Sequence, residues 1–185
     1  GNVSSTADVG AYCNVGTQTI NGDVTSDSNY AAYCINIGIQ NINGNVSMTG
    51  NIGGQGTVLC ETGGTQNIKG NITNNDTAGV ADVIINTGSG TCTYSGNIIP
   101  ATVGSVGIRK SGSGTIRISS GSRVGIITST NAINKNGGRL ELYGGVALIA
   151  LTNSVASTGA EDVFLYGECT QNVVEDATTT FVGGT

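Results

Sequence analysis

Gly16-Thr-Gln-Thr-Ile20-Asn-Gly22-Asp-Val24 returns as Gly38-Ile-Gln-Asn-Ile42-Asn-Gly44-Asn-Val46. It returns again as Gly64-Thr-Gln-Asn-Ile68-Lys-Gly70-Asn-Ile72 and as Gly90-Thr-Cys-Thr-Tyr94-Ser-Gly96-Asn-Ile98. Fainter copies follow at Gly114-Thr-Ile-Arg-Ile118, Gly138-Arg-Leu-Glu-Leu142-Tyr-Gly144-Gly-Val146 and Val163-Phe-Leu165-Tyr-Gly167-Glu-Cys169. The central residues Ile20, Ile42, Ile68, Tyr94, Ile118, Leu142 and Leu165 recur at intervals, by subtraction, of 22, 26, 26, 24, 24 and 23 residues. Such self-similarity is the mark of a solenoid. Each copy alternates with period two, is rich in β-branched residues and is punctuated by Gly and Asn, which reads as strands and corners rather than helices. The L-x-x-L-x-L framework of leucine-rich repeats is missing.

The expected fold is therefore all-β: a single-domain, right-handed parallel β-helix of about seven coils with three short strands per coil. In the second coil these strands read as 33–37, 39–42 and 45–48. Handedness follows from the general preference for right-handed parallel crossovers. Residues 1–10 read as an irregular lead-in, 11–169 as coils, and 170–185 as a terminal strand or loose tail. Gly after the central residue suits corners needing φ > 0. Neither end shows a helical cap, which suggests a segment of a longer chain.

In a parallel stack, equivalent residues lie ~4.8 Å apart, so columns can be read directly. The central column points inward. Four residues on, Val24, Val46, Ile72 and Ile98, then Val146 and Cys169, are also expected inside. Two residues before the centre stand Gln18, Gln40 and Gln66, then Cys92, Ile116, Leu140 and Val163. A buried amide is costly unless bonded, and stacked amides can bond one another; a solvated corner is the alternative. Cys13, Cys34 and Cys60 form another column, expected as buried free thiols because register neighbours are poorly placed for a disulfide. The outward columns are Thr17, Ile39, Thr65, Thr91, Thr115, Arg139, Asp162 and Thr19, Asn41, Asn67, Thr93, Arg117, Glu141, Phe164. They suggest two ion pairs, Arg117 with Glu141 and Arg139 with Asp162.

Composition narrows function. Among 185 residues, 10% are charged and the net charge is −5, which disfavours a general nucleic-acid binder. No apolar run is long enough for a transmembrane helix, and the first residues lack the pattern of a signal peptide. There is no His, which removes Ser-His-Asp and Cys-His arrangements. With no CxxC pair either, no metal or other cofactor is expected. No phosphate-binding glycine loop occurs. Glu161-Asp162 and Glu175-Asp176 are sequence doublets whose members face opposite ways along a strand, so neither is a catalytic pair. The sequons at Asn2, Asn45, Asn71 and Asn75 are expected by chance in a chain of this composition.

Six of the seven basic residues, Arg109, Lys110, Arg117, Arg123, Lys135 and Arg139, cluster where Asp and Glu are absent, between Asp82 and Glu141. They form a candidate ligand-binding belt for an anion or acidic polysaccharide. Solvated charge with inter-coil pairing is the plainer reading. The Thr columns invite comparison with ice-binding faces, but Ile39, Asn41, Asn67 and Arg117 interrupt the array.

The coil length, three-strand coils, Asn/Gly corners and stacked Ile/Val columns resemble the pectin-lyase-like parallel β-helix. The Asn/Thr/Ser/Gly-rich, His-free texture is most similar to the shafts of viral tailspikes and fibres. That resemblance implies a homotrimer on the virion surface, acting in attachment and contacting host glycans. A bacterial cell-surface adhesin or carbohydrate-binding β-helix is the alternative; a polysaccharide lyase or hydrolase, or an ice-binding protein, is weaker. Lyases of this architecture carry an Asp-rich calcium site with a nearby basic residue. No residues here match it, so no catalytic residue is assigned.

Overall fold

The computed structural model describes residues 1–50, 56–157 and 163–173. Among them every regular element is a strand, all ladders are parallel, and the strands stack as a β-solenoid of about seven turns. Period-two burial decides this. Thr91–Tyr94 and Thr65–Ile68 both alternate half-buried with buried residues, as strands covered on one face must.

Three walls enclose the core. The first wall begins in Ala11–Ile20 and Ala32–Ile42 and continues through Val58–Cys60, Ile84–Asn86, Ile108–Lys110, Asn131–Lys135 and Asn153–Ser157. The second shares those two long strands and continues through Thr65–Ile68, Thr91–Tyr94, Thr115–Ile118, Arg139–Tyr143 and Val163–Tyr166. The third is the eight-stranded sheet from Val3–Ser5 to Thr170–Val173. In the second coil the first two expected strands run together as Ala32–Ile42. The lead-in is more ordered than expected, because Val3–Ser5 pairs with Val24–Ser26. At the other end Thr170–Val173 is a strand on Ala147–Ala150. The remainder of the tail lies outside the described residues.

The central column is continuous in register from Ile20 to Leu165. Ile42, Ile68, Tyr94, Ile118 and Leu142 are fully enclosed, whereas Leu165 at the end is half-buried. Each enclosed aliphatic side chain contributes about 1.5–3 kcal/mol relative to exposure. Backbone bonds tie coil to coil beside it: Lys69 N donates to Ile42 O at 3.0 Å and Ser95 N to Ile68 O at 2.9 Å.

Two sequence expectations about the corners need correction. First, the third-wall column runs Val24, Val46, Ile72, Ile98, Val124, Leu148 and Gln171 rather than through Val146 and Cys169. The fifth coil lengthens its corner with a turn at Gly121 (φ 75°), and the sixth repeats the device at Gly145 (φ 82°). The inward residue therefore moves from four to six places after the centre. Val146 is still buried, but at the corner. Second, Gly22, Gly44, Gly70 and Gly96 are not among the residues with positive φ. They are glycine because the coils touch there: a Cβ on Gly44 would overlap the Gly22 backbone, one on Gly70 that of Gly44, and one on Gly96 that of Gly70.

Beside these glycines runs a ladder of side-chain acceptors. Asn2 Oδ1 accepts from Asp23 N, Asp23 Oδ1 from Asn45 N, Asn45 Oδ1 from Asn71 N, Asn71 Oδ1 from Asn97 N, and Asn97 Oδ1 from Arg123 N, at 2.7–3.0 Å. Asn holds four of the five acceptor places and Asp23 the other; the short side chain of either reaches one coil upward.

Candidate functional site

The inward polar columns are resolved into bonded ladders. Gln40 Nε2 donates to Gln18 Oε1 at 2.8 Å, and Gln66 Nε2 donates to Gln40 Oε1 at 3.0 Å. The second amide hydrogens go to Ala11 O and Leu59 O. Gln40 and Gln66 are fully buried and Gln18, at the end, half-buried. The ladder, not the solvated corner, is what forms.

Cys13, Cys34 and Cys60 are in register on the first wall, buried, with free thiols. Cys34 Sγ donates to Gly38 O and Cys60 Sγ to Gly64 O, each at 3.2 Å. Burial pushes the Cys13 thiol up from its ordinary value.

That same column continues through Asn86, Lys110 and Lys135, which overturns part of the basic belt. Lys110 is 1% exposed and Lys135 fully buried. Strand parity is the reason: Ile108 and Lys110 face inward, so Arg109 between them faces out. Lys110 Nζ donates to Gly112 O at 2.8 Å and to Asn86 Oδ1 at 3.4 Å. Burial lowers its pKa to about 8.

The four arginines stay outside but lie on all three walls. Arg109 on the first is paired with the buried Asp82 at 2.5 Å. Arg123 on the third is exposed at the head of the asparagine ladder. Arg117 and Arg139 share the second wall, and only they converge. Arg117 Nε meets Glu141 Oε2 at 2.7 Å, and Arg139 Nε meets Glu141 Oε1 at 2.5 Å. The expected Arg117–Glu141 pair is present. Asp162, the expected partner of Arg139, lies outside the described residues, as do Glu161, Glu175 and Asp176.

Glu141 is 4% exposed although it stands in an outward column, because the two guanidiniums and Tyr143 cover it. Burial opposes its ionisation, but the Arg117 and Arg139 guanidiniums outweigh that and hold the carboxyl below its usual range. Arg139 also lies 3.7 Å over the Phe164 ring and donates to Tyr166 Oη at 2.9 Å. Tyr143 and Tyr166 stack with centroids 5.0 Å apart. Beside this network opens a groove of about 360 Å³, lined by Thr93, Arg117, Ser119, Ser120 and Tyr143. Arg117, with 44% of its side chain exposed, lines this groove while its Nε holds Glu141. The groove thus offers a guanidinium, a stacked aromatic edge and three hydroxyls, a set suited to a hydroxyl-rich anion.

A second surface, absent from the sequence expectations, lies on the first two coils. Tyr12 and Tyr33 pair edge-on at 5.2 Å, Tyr30 lies 5.9 Å from Tyr33, and Val15 and Ile37 stand exposed nearby on the same two coils. Tyr33 Oη donates to Glu61 Oε2 at 2.6 Å, and that bond leads the effects that push the Tyr33 hydroxyl's pKa up. The repeated Ala-Tyr-Cys carried the signal, since the residue before an inward Cys must face out.

Among the described residues, no group of three or more His, Cys, Asp or Glu is placed to hold a metal ion, and no helix is long and apolar enough to cross a membrane. Comparisons with protein-family models, curated proteins and solved structures gave no match to this chain.

Proposed function

We propose that this chain is a structural and attachment module, a shaft segment of a virion fibre or spike, that contacts acidic surface glycans through the Arg117–Tyr143 groove. The observation that carries the reading is that groove: an exposed guanidinium held in place by a buried carboxylate, beside a stacked tyrosine pair, on a rigid wall of ladders. The enclosed carboxylate beside the groove, Glu141, is committed to two arginines, which suits holding a ligand better than proton transfer. The resemblance to tailspike shafts supports the virion location and a homotrimer. A bacterial cell-surface adhesin would use the same groove and is the second reading.

A glycan array tests the contact. Sulfated or carboxylated glycans should be retained, with binding reduced at least tenfold by Arg117→Ala or Tyr143→Ala. Failure to retain any acidic glycan, or retention unchanged in both variants, overturns it. Light scattering tests the assembly: a trimer is expected from a fibre shaft, and a monodisperse monomer overturns the fibre reading while leaving the adhesin.

A further inference from the structure

Cys92 belongs to the second wall, in register with Ile116, and stands where earlier coils carry Gln66 and Gln40. Cys60 belongs to the first wall, one coil below. The two side chains cross the interior and meet, Sγ to Sγ, at 3.0 Å. Both residues are fully buried. Asn86, the register neighbour of Cys60 on the first wall, donates Nδ2 to Cys92 Sγ at 3.2 Å. The gap is about 1 Å longer than a disulfide bond. Cys34, the register neighbour of Cys60 on the same wall, also bears on the Cys60 sulfur, but Cys92 reaches it from a different wall and a different coil, at 3.0 Å.

We propose that Cys60 and Cys92 are an oxidisable pair that closes to an intrachain disulfide, stapling the third coil to the fourth, while Cys13 and Cys34 remain thiols. The oxidant is a low-molecular-weight disulfide, RSSR. One cysteine thiolate attacks RSSR, forms a mixed disulfide and releases one RSH after protonation. The second thiolate attacks the protein-bound sulfur and releases the other RSH. Two thiols lose two electrons and two protons, and RSSR becomes two RSH. Because both sulfurs are enclosed, the exchange takes place while the chain folds or while these coils are open. In a stack where each coil touches only its neighbours, opening spreads from coil to coil, and a bond between coils three and four stops it there.

The test is to reduce and denature the whole chain, refold it in oxidised and reduced glutathione, trap it in acid, alkylate it in denaturant and map the peptides. One disulfide, Cys60–Cys92, is expected, with Cys13, Cys34 and Cys169 alkylated. Its melting temperature should exceed that of the dithiothreitol-treated protein by on the order of 10 °C. Cys92→Ser should abolish both the disulfide and the difference. Five alkylated cysteines, or a pair that includes Cys13, Cys34 or Cys169, overturns the proposal. The wild-type peptide map decides the matter even if Cys92→Ser does not fold.

Discussion

The hydroxyl of Tyr94 donates to Oε1 of Gln66 at 3.2 Å, so a tyrosine in the hydrophobic column terminates the amide ladder of the column beside it. Tyr94 is itself fully buried. Its ring packs as the isoleucines below it do, and its hydroxyl supplies the donor that Cys92, in the glutamine position, cannot supply as well.

Tyr94→Phe should therefore cost about 1–3 kcal/mol, the penalty of a buried carbonyl oxygen left without its donor. Gln40→Leu should cost more, because it strands groups on Gln18 and Gln66 together. Equilibrium denaturation of both variants measures this. Equal stability of Tyr94→Phe and wild type would show that the hydroxyl bond adds nothing.

Two glycine substitutions should separate close approach from backbone conformation. Gly70→Ala places a methyl group against the backbone of Gly44, which has no rotamer by which to yield. Gly121→Ala meets nothing within 4 Å and pays only for its φ of 75°. The second should cost about 1–2 kcal/mol and the first distinctly more, by thermal melting. The reverse order would contradict coil contact as the reason for Gly70.

Lys110 gives a pH dependence with a definite sign. Its pKa falls from 10.5 to about 8 on folding. Between those values the unfolded chain binds more protons, so stability rises with pH across that window, by at most about 3 kcal/mol. In Lys110→Met this contribution should vanish, and stability at pH 7 should equal or exceed wild type because a buried charge is gone. Urea titrations of both proteins at pH 7.5 and 10 check it; the same rise in both would exonerate Lys110.

Glu141 acts in the opposite direction. Its folded pKa is lowered, so its contribution is complete above the unfolded carboxyl value and is lost as pH falls through the folded one. Glu141→Gln should cost about 1–3 kcal/mol at neutral pH and lose this part of the acid sensitivity. Denaturation at pH 7 and pH 3 measures both. A variant as acid-sensitive as wild type would locate the sensitivity elsewhere.

The solenoid was legible because its two governing periods, two residues within a strand and about 24 along the chain, are both local to the sequence. The Gln and Cys columns followed from the same arithmetic. Residue type alone places Lys110 and Lys135 on the surface, but strand parity turns them inward; the alternation that separates Glu161 from Asp162 in the sequence equally separates Arg109 from Lys110. Glycines 22, 44, 70 and 96 carried the right signal with the wrong cause, since a repeat reveals that a site is constrained but not whether torsion or contact constrains it. The contact of Cys60 with Cys92 joins different walls. It depends on the cross-section of the coil, which no spacing along the chain encodes. The Arg117–Glu141 pair was visible because both lie on one wall. The groove beside it was not, because Ser119 and Ser120 belong to a corner whose path changes in the fifth coil.

A chain that repeats itself this closely risks stacking a coil on the wrong neighbour, since isoleucine accepts isoleucine at any level. The amide ladder does not have that tolerance. Gln18 meets Gln40 and Gln40 meets Gln66, and the run stops under Tyr94 and Cys92. Stacking one of these three coils on the fifth or sixth would leave an amide facing Ile116 or Leu140. The glutamines thus act as a sorting code for assembly: they keep the first three coils with one another and make a stack that mixes them with the later coils a bad one.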